Sequence, residues 1–356
     1  MYNVFKNCTS GTIDVLFVTE LKKVNMKKEE QFQQTLLRKT VVITGSSSGV
    51  GRAAAEAFAL EGCNIVIVAR GQKGIDEVVE LCKGLGVEVL GISADTSVAA
   101  DIERVAEETL SRFGRIDIWV NNAGVMASGK FEEIPMEIHE QVIKTNLFGY
   151  MHGAYSAVKI FKKQNEGILI NNVSIGGYMP APYSSVYSAT KYGIKGMMDG
   201  LQGEVSNYRN IHICNLYPQL QKSTGNLHSA KYSGFKMGIP PIASDPRDTA
   251  AKMVELAREP RKDLFPDFRS YAITSIYRLF PKLVINTASA GVRLMMKIKN
   301  GPEVAGNILE PSQDPLKIYG TPPLNTSKNI KVAAVIGILA GFAVMGLKKG
   351  LVNKSN

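Results

Sequence analysis

Thr40-Val41-Val42-Ile43-Thr44-Gly45-Ser46-Ser47-Ser48-Gly49-Val50-Gly51-Arg52 is the stretch from which the rest of the chain can be read. Val41 to Thr44 is a short β-branched run that reads as a buried strand, and an alanine-rich helical window follows from Arg52 to Leu60. The glycines therefore stand where a strand turns directly into a helix. Such a turn aims backbone N–H groups and the positive end of a helix at one point, which suits a phosphate. Gly45, Ser47, Ser48, Gly49, Val50 and Gly51 are candidate dinucleotide contacts, with Gly49 and Gly51 permitting close approach of ligand and strand. A glycine-rich turn alone is weak evidence; a position at the head of a βαβ series gives it weight.

That series is present. Further strand candidates are Asn64 to Ala69, Val87 to Ser93, Ile116 to Asn121, Ile168 to Val173 and Ile211 to Tyr217. Between them lie helical windows near Ile75 to Leu85, Ala99 to Phe113, Met136 to Lys162 and Val186 to Tyr208. Buried parallel strands need helices on both faces, so the expected fold is α/β: a Rossmann-type, doubly wound parallel sheet in a single catalytic domain with a C-terminal helical extension. Beyond Asn215 the pattern loosens. Gly225 to Pro241 has the composition of a mobile lid, Arg247 to Arg258 reads as a helix, and Tyr271 to Ile298 is apolar without settling between strand and helix. The expected organisation is a flexible N-terminal extension at 1–38 and a catalytic domain at 39–260. A C-terminal extension near the substrate site follows at 261–326, and an apolar tail at 327–356.

Composition excludes several classes. The chain has 356 residues and a net charge of +10, but its basic residues are scattered rather than striped with aromatics, which argues against nucleic acid. Cys8, Cys63, Cys82 and Cys214 form no CxxC pair, as expected of a reduced, intracellular protein. His139, His152, His212 and His228 have no metal-ligand spacing, and no metal site is expected. No secretory signal is visible at the N-terminus, and Met26 is a candidate alternative start.

Cofactor choice is read at the end of the second strand, Ile67-Val68-Ala69-Arg70, where an acidic side chain would hold a ribose 2′-hydroxyl. Arg70 stands there instead, and its planar fork suits a 2′-phosphate, favouring NADP(H) over a mere surface cap. In Ala94-Asp95-Thr96, Asp95 can accept from the adenine amine or cap the next helix, and both roles can hold together. Asn121-Asn122-Ala123-Gly124 closes the fourth strand with amides that can brace neighbouring backbone and small residues that leave room for a cofactor.

Tyr187-Ser188-Ala189-Thr190-Lys191 lies in a helical window, so phenol and ammonium project from one face. A fixed cation, reinforced by the positive nicotinamide ring, favours phenolate and is expected to lower a tyrosine pKa from its usual value near 10, moving Tyr187 toward acid/base use. Ser174, at a strand end, can meet that phenol over one carbonyl oxygen and stabilise developing charge there. Asn146 is a misfit inside an apolar helix and suits a kink or a water site feeding Lys191, although a buried Asn is often no more than a satisfied core amide.

Over Lys39 to Glu259 the sequence resembles the short-chain dehydrogenase/reductase family, through the TGxxxGxG turn at Thr44 to Gly51, NNAG at Asn121 to Gly124, Asn146, Ser174 and YxxxK at Tyr187 to Lys191. The resemblance implies a catalytic tetrad. Tyr187 would be the acid/base and Ser174 the substrate-oxygen ligand, with Lys191 acting on both the phenol and the nicotinamide ribose and Asn146 on a proton relay through water. It also implies that Asp95 and Thr96 lie at adenine, that Asn122, Ala123 and Gly124 line the cofactor, and that Arg70 marks NADP preference. One departure stands out in Tyr217-Pro218-Gln219-Leu220-Gln221-Lys222-Ser223-Thr224: Pro218 fits the family, Gln219 replaces its glycine, and the carboxamide ligand is left between Ser223 and Thr224.

The expected activity is NADPH-linked reduction of a carbonyl to an alcohol, or the reverse, on a small molecule, with lipophilic compounds among the candidates. A catalytically weak NADP-binding scaffold or redox sensor, and a dehydratase or epimerase using the same tetrad, are the alternatives. The family resemblance suggests a homodimer or homotetramer. Val332 to Leu347 is apolar and uncharged, flanked by Lys331, Lys348 and Lys349, with a GxxxG spacing at Gly337 and Gly341. It reads as a membrane anchor with the catalytic domain on the cytoplasmic side, the alternative being a helix packed on the protein or a partner.

Overall fold

Strand β1 (Thr40–Thr44) is buried along its whole length because it lies in the middle of the sheet. It pairs in parallel with β2 (Asn64–Ala69) on one side and β4 (Ile118–Asn121) on the other, setting Val42 opposite both Val66 and Trp119. With β3 (Val89–Ser93), β6 (Gly167–Asn172), β7 (Ile211–Leu216) and β9 (Asp263–Leu264), the order is β3-β2-β1-β4-β6-β7-β9, every pair parallel. The winding direction reverses between β1 and β4, and a ligand crevice is expected at the carboxyl ends there. The computed structural model describes residues 36–235, 239, 243–298, 301–312 and 316–320.

Side chains alternate along the strands and feed two cores. On one face Ile43, Ile65 and Ile67 pack with Phe58 of α1 (Gly49–Leu60), Val78 of α2 (Gln72–Gly84) and Met253 of α7 (Pro246–Arg258). On the other, Val42, Val66 and Trp119 pack with Ile102 of α3 (Ala99–Phe113), Phe161 of α5 (Gly149–Gln164) and Met198 of α6 (Ser185–Glu204). This is the doubly wound arrangement the sequence pattern implies.

Differences from the sequence reading have local causes. Strands β3 and β4 each begin two residues later than expected, at Val89 and Ile118. The window from Met136 to Lys162 is helical throughout, but not uniform: α4 (Met136–Ile143) passes into α5 through a π turn at Lys144–Phe148. Strand β9 and the small sheet of β5 (Ala127–Ser128) with β8 (Ala230–Lys231) have two residues per strand, too few to show periodicity. Tyr271 to Ile298 resolves into helices α8 (Phe268–Leu279) and α9 (Pro281–Ile298), with a break at Phe280 just before Pro281, the residue that opens α9. The candidate lid at Gly225 to Pro241 contains a 3-10 turn at its start and strand β8; residues 236–238 and 240–242 lie outside the described residues.

After α9 the chain returns across the carboxyl ends of the strands as a strap. Val304 exchanges main-chain hydrogen bonds with Lys231 at 2.8 and 2.9 Å, and Gly320 N–H donates to Lys222 O at 3.1 Å. Ile308 and Ile318 anchor the strap in buried clusters. Among the described residues no helix is long and apolar enough to cross a membrane; Met26 and the run Val332 to Leu347 with its flanking lysines lie outside them.

Candidate active site

The turn after β1 is held by the loop after β4. Thr44 Oγ1 accepts from the N–H groups of Asn122 and Ala123 at 3.0 and 3.1 Å, while Asn122 Nδ2 donates to Thr44 O and Gly45 O at 2.9 and 3.2 Å. Asn172 Nδ2 in turn donates to Asn122 Oδ1 at 2.9 Å. Gly45 has φ +65°, and a Cβ there would lie 2.7 Å from Ala123 Cα, so both conformation and space require glycine. Helix α1 starts at Gly49 with no side-chain cap from Ser48 and no acidic residue in its first turn. Its leading N–H groups and positive end are thus free of carboxylates and fit the pyrophosphate of a dinucleotide.

At the end of β3, Asp95 and Thr96 line the same cleft. Asp95 Oδ1 accepts from Ser97 N–H at 2.8 Å, whereas the residue preceding α3 is Val98. Of the two roles open to Asp95 the helix cap is not the one adopted; its side chain shapes the turn one step earlier. Thr96 O accepts from His152 Nδ1 at 2.9 Å, which ties this edge to α5.

Ser174, Tyr187 and Lys191 meet at the carboxyl end of β6. Ser174 has φ +98°, a sparsely populated conformation for a residue with a side chain, and its Oγ accepts from Gly176 N–H at 3.2 Å. Tyr187 and Lys191 project from one face of α6 as their spacing requires. Lys191 Nζ lies 4.9 Å from the Tyr150 ring centre and 5.6 Å from that of Tyr187, and donates to Asn172 O at 3.4 Å. Burial raises the Tyr187 pKa above its usual value, against a hydrogen bond with Ser174 that lowers it, and burial pushes Lys191 down to about 7. In the free protein, therefore, Lys191 does not offset the burial of the phenol; the positive nicotinamide ring expected to reinforce it belongs to the bound cofactor. An ammonium that burial partly discharges at neutral pH exerts too little field to offset the desolvation of the phenol.

Asn146 lies in the π turn, where the regular helical hydrogen-bond ladder is interrupted. Its Oδ1 accepts from Val125 N–H at 2.8 Å, and its Nδ2 donates to Val125 O at 2.9 Å and to Thr190 Oγ1 at 3.2 Å. Gly124 keeps the space between Asn146 and Lys191 open: a Cβ there would stand 3.4 Å from Asn146 Oδ1 and 3.9 Å from Lys191 Nζ.

Arg70 is where the structure adds most. Its Nη1 donates to Ile308 O at 3.1 Å and to Leu309 O at 3.3 Å, and its Nη2 to Glu310 O at 3.3 Å and to Asn307 O. The fork expected to face a phosphate is thus turned onto strap carbonyls. The strap also reaches the glycine-rich turn, since Lys317 O accepts from Gly49 N–H at 3.0 Å and from Thr224 Oγ1 at 3.1 Å. Thr224 is buried in that contact, and Ser223 is the hydroxyl that lines the cleft beside Pro218. Gln219, in place of the family glycine, donates to Ser244 Oγ at 2.8 Å.

A cavity of about 670 Å³ joins these groups, running from the turn past Arg70 and Asp95 to Tyr187. Its far end is apolar, walled by Val284, Ile285, Ala288 and Val292 of α9 with Met179 and Phe235. Sequence reasoning set the 261–326 extension near the substrate site but missed the strap's contacts with Arg70 and the glycine-rich turn. Those contacts are made by main-chain carbonyls, which leave no mark in residue type.

Hydride exchange with a bound dinucleotide is the chemistry that such a turn, at the switch point of such a sheet, serves, and the class is a nicotinamide-dependent oxidoreductase. The short chain dehydrogenase family model matches residues 39–231, more than half of the chain, and the protein belongs to that family. An oxidoreductase of Bacillus subtilis, YxnA, is 28% identical over 250 residues, covering 68% of this chain and 69% of that protein. The 11-beta-hydroxysteroid dehydrogenase A of Sesamum indicum is 34% identical over 175 residues, 49% of this chain and 50% of its own. Among solved structures, an alcohol dehydrogenase from the archaeon Thermococcus sibiricus complexed with 5-hydroxy-NADP superposes with a TM-score of 0.56 at 26% identity, covering 64% of this chain and 95% of its own.

Proposed function

We propose that the protein is an NADP(H)-dependent enzyme that interconverts a carbonyl and an alcohol, in the direction of reduction when supplied with NADPH. The observation that carries this reading is the cluster of Ser174, Tyr187 and Lys191 on one wall of a cleft whose other end is the start of α1, which has neither a side-chain cap nor a carboxylate in its first turn. Gly45, Ser47, Ser48, Gly49, Val50 and Gly51 would hold the pyrophosphate, Asp95 and Thr96 the adenine, and Asn122, Ala123, Gly124 and Pro218 the nicotinamide half. Ser223 would reach the carboxamide in place of Thr224. The bound nicotinamide supplies or accepts the hydride. Ser174 then orients the substrate oxygen, and Tyr187 Oη gives that oxygen its proton. Lys191 holds the ribose and, with Asn146, returns a proton to the phenol through water.

NADP preference rests on Arg70 leaving the strap carbonyls for the stronger acceptor, a phosphate dianion. The apolar end of the cleft favours a lipophilic substrate, and the relative that acts on hydroxysteroids is consistent with one. A homodimer built on α5 and α6, and an anchor at Val332 to Leu347 with the domain facing the cytoplasm, complete the reading. The strap on Arg70 favours a second reading, a dinucleotide-binding sensor with little turnover.

Absorbance of NADPH followed with a panel of ketones and aldehydes separates the two. The expected result is turnover that Tyr187→Phe lowers by roughly 10²- to 10⁴-fold with NADPH binding retained. Binding without turnover on every apolar carbonyl would favour the sensor, and product formed without net cofactor oxidation would favour a dehydratase or epimerase.

A further inference from the structure

Helices α8 and α9 carry the most exposed apolar surface of the described residues. Phe268 and Leu279 are 81% and 73% exposed, and Tyr271, Ile276, Leu283 and Leu294 are exposed with them. From Phe268 to Ile298 the sequence carries Arg269, Arg278, Lys282, Arg293 and Lys297 and no acidic residue. Large aromatic and aliphatic side chains mixed with unopposed positive charge, on helices too polar to span a bilayer, are the signature of a surface that lies in a lipid interface.

We propose that the outer face of the α8–α9 hairpin docks the protein on an anionic membrane. Charge selects this occupant. A second copy docked face to face would bring like positive charges together, whereas a surface of acidic phospholipids neutralises them and receives the apolar side chains between them. The geometry of α9 adds a consequence. Val284, Ile285, Ala288 and Val292 turn inward to wall the cleft, while Lys282, Leu283, Arg293 and Leu294 turn outward. One helix thickness, about 10 Å, then separates the bilayer from the apolar end of the cleft. The docking site is distinct from the C-terminal apolar run and does not depend on the reaction assigned above.

The chain offers a clean probe. Its one tryptophan, Trp119, is fully buried in the sheet, so Leu279→Trp in the full-length protein adds a reporter at the proposed interface. Vesicles of brominated phosphatidylcholine with about 30% phosphatidylserine should quench that reporter, and added salt should weaken the effect. A Tyr155→Trp control on α5 should stay unquenched. Adding Arg269→Glu, Lys282→Glu and Arg293→Glu to Leu279→Trp should weaken the quenching interaction at least about a hundredfold with the thermal melt unchanged; Arg278 is left in place because its guanidinium lies 5.0 Å from the Tyr178 ring centre. Three results would overturn the proposal. They are a reporter that stays unquenched whether or not the chain is vesicle-bound, equal quenching on neutral vesicles, and a self-association that Leu279→Asp abolishes.

Discussion

Lys191 is buried among Tyr150, Tyr187 and Asn172, and its environment penalises the charged form. In the unfolded chain it keeps its proton to the ordinary value of 10.5; in the folded chain it releases it at about 7. Between those limits the unfolded state binds more protons, so stability rises with pH across that window and is lowest once the buried amine is charged. Lys191→Met should abolish this contribution. In urea unfolding at pH 7, 8 and 9, the stability of the wild type relative to Lys191→Met is expected to rise by up to about 1.4 kcal/mol per pH unit. Parallel pH profiles would mean that the amine is solvated in the folded protein. A bound dinucleotide ribose would offer acceptors to Nζ and raise its pKa, so the same slope should flatten when NADPH is present.

At the scale of an element, the π turn and the strap are both built to serve the cleft, and they differ in how far the sequence reveals them. Asn146 was recognisable because an amide inside an apolar helix needs partners, and it finds them in Val125 and Thr190. Asn146→Leu would leave the buried Val125 N–H without its acceptor and should cost about 1–3 kcal/mol in urea unfolding. The glycine-rich turn and the Tyr187–Lys191 pair were legible for the same reason, being local patterns whose chemistry needs particular residue types. The strap was not: Asn307, Ile308, Leu309 and Glu310 meet Arg70 through carbonyl oxygens that any sequence supplies. Since a 2′-phosphate is a better partner for a guanidinium than four neutral carbonyls, NADPH should draw Arg70 off the strap. Hydrogen exchange of the strap amides is expected to quicken when NADPH binds, and Arg70→Gln should weaken NADPH roughly ten- to a hundredfold while leaving NADH unchanged. Equal losses for both dinucleotides would assign Arg70 to the strap alone.

At the scale of the whole molecule, the parallel sheet was readable because its buried strands are short β-branched runs alternating with helical windows, and its two-core arrangement follows from alternation along them. What the molecule does with its outer surfaces was not, because exposure depends on how helices pack rather than on what they contain. Phe148, at the end of the π turn, and Met151 and Tyr155 on α5 form an exposed stripe with the i, i+3, i+7 spacing of one helix face, and Tyr192 of neighbouring α6 is exposed as well. A stripe of that size on otherwise polar helices is the expected contact for a second copy, an isologous pairing across a two-fold axis in which each residue meets its symmetry mates. Lys159 Nζ, 4.9 Å from the Tyr155 ring centre, leaves the edge of the stripe positively charged. Sedimentation equilibrium on the wild type should give twice the chain mass, and Met151→Glu with Tyr155→Glu should halve it by placing like charges opposite one another. Because Tyr150 and Asn146 lie on the inward face of the same stretch, the monomer should keep its cleft and still bind NADPH; loss of binding on dissociation would show instead that the partner copy completes the site.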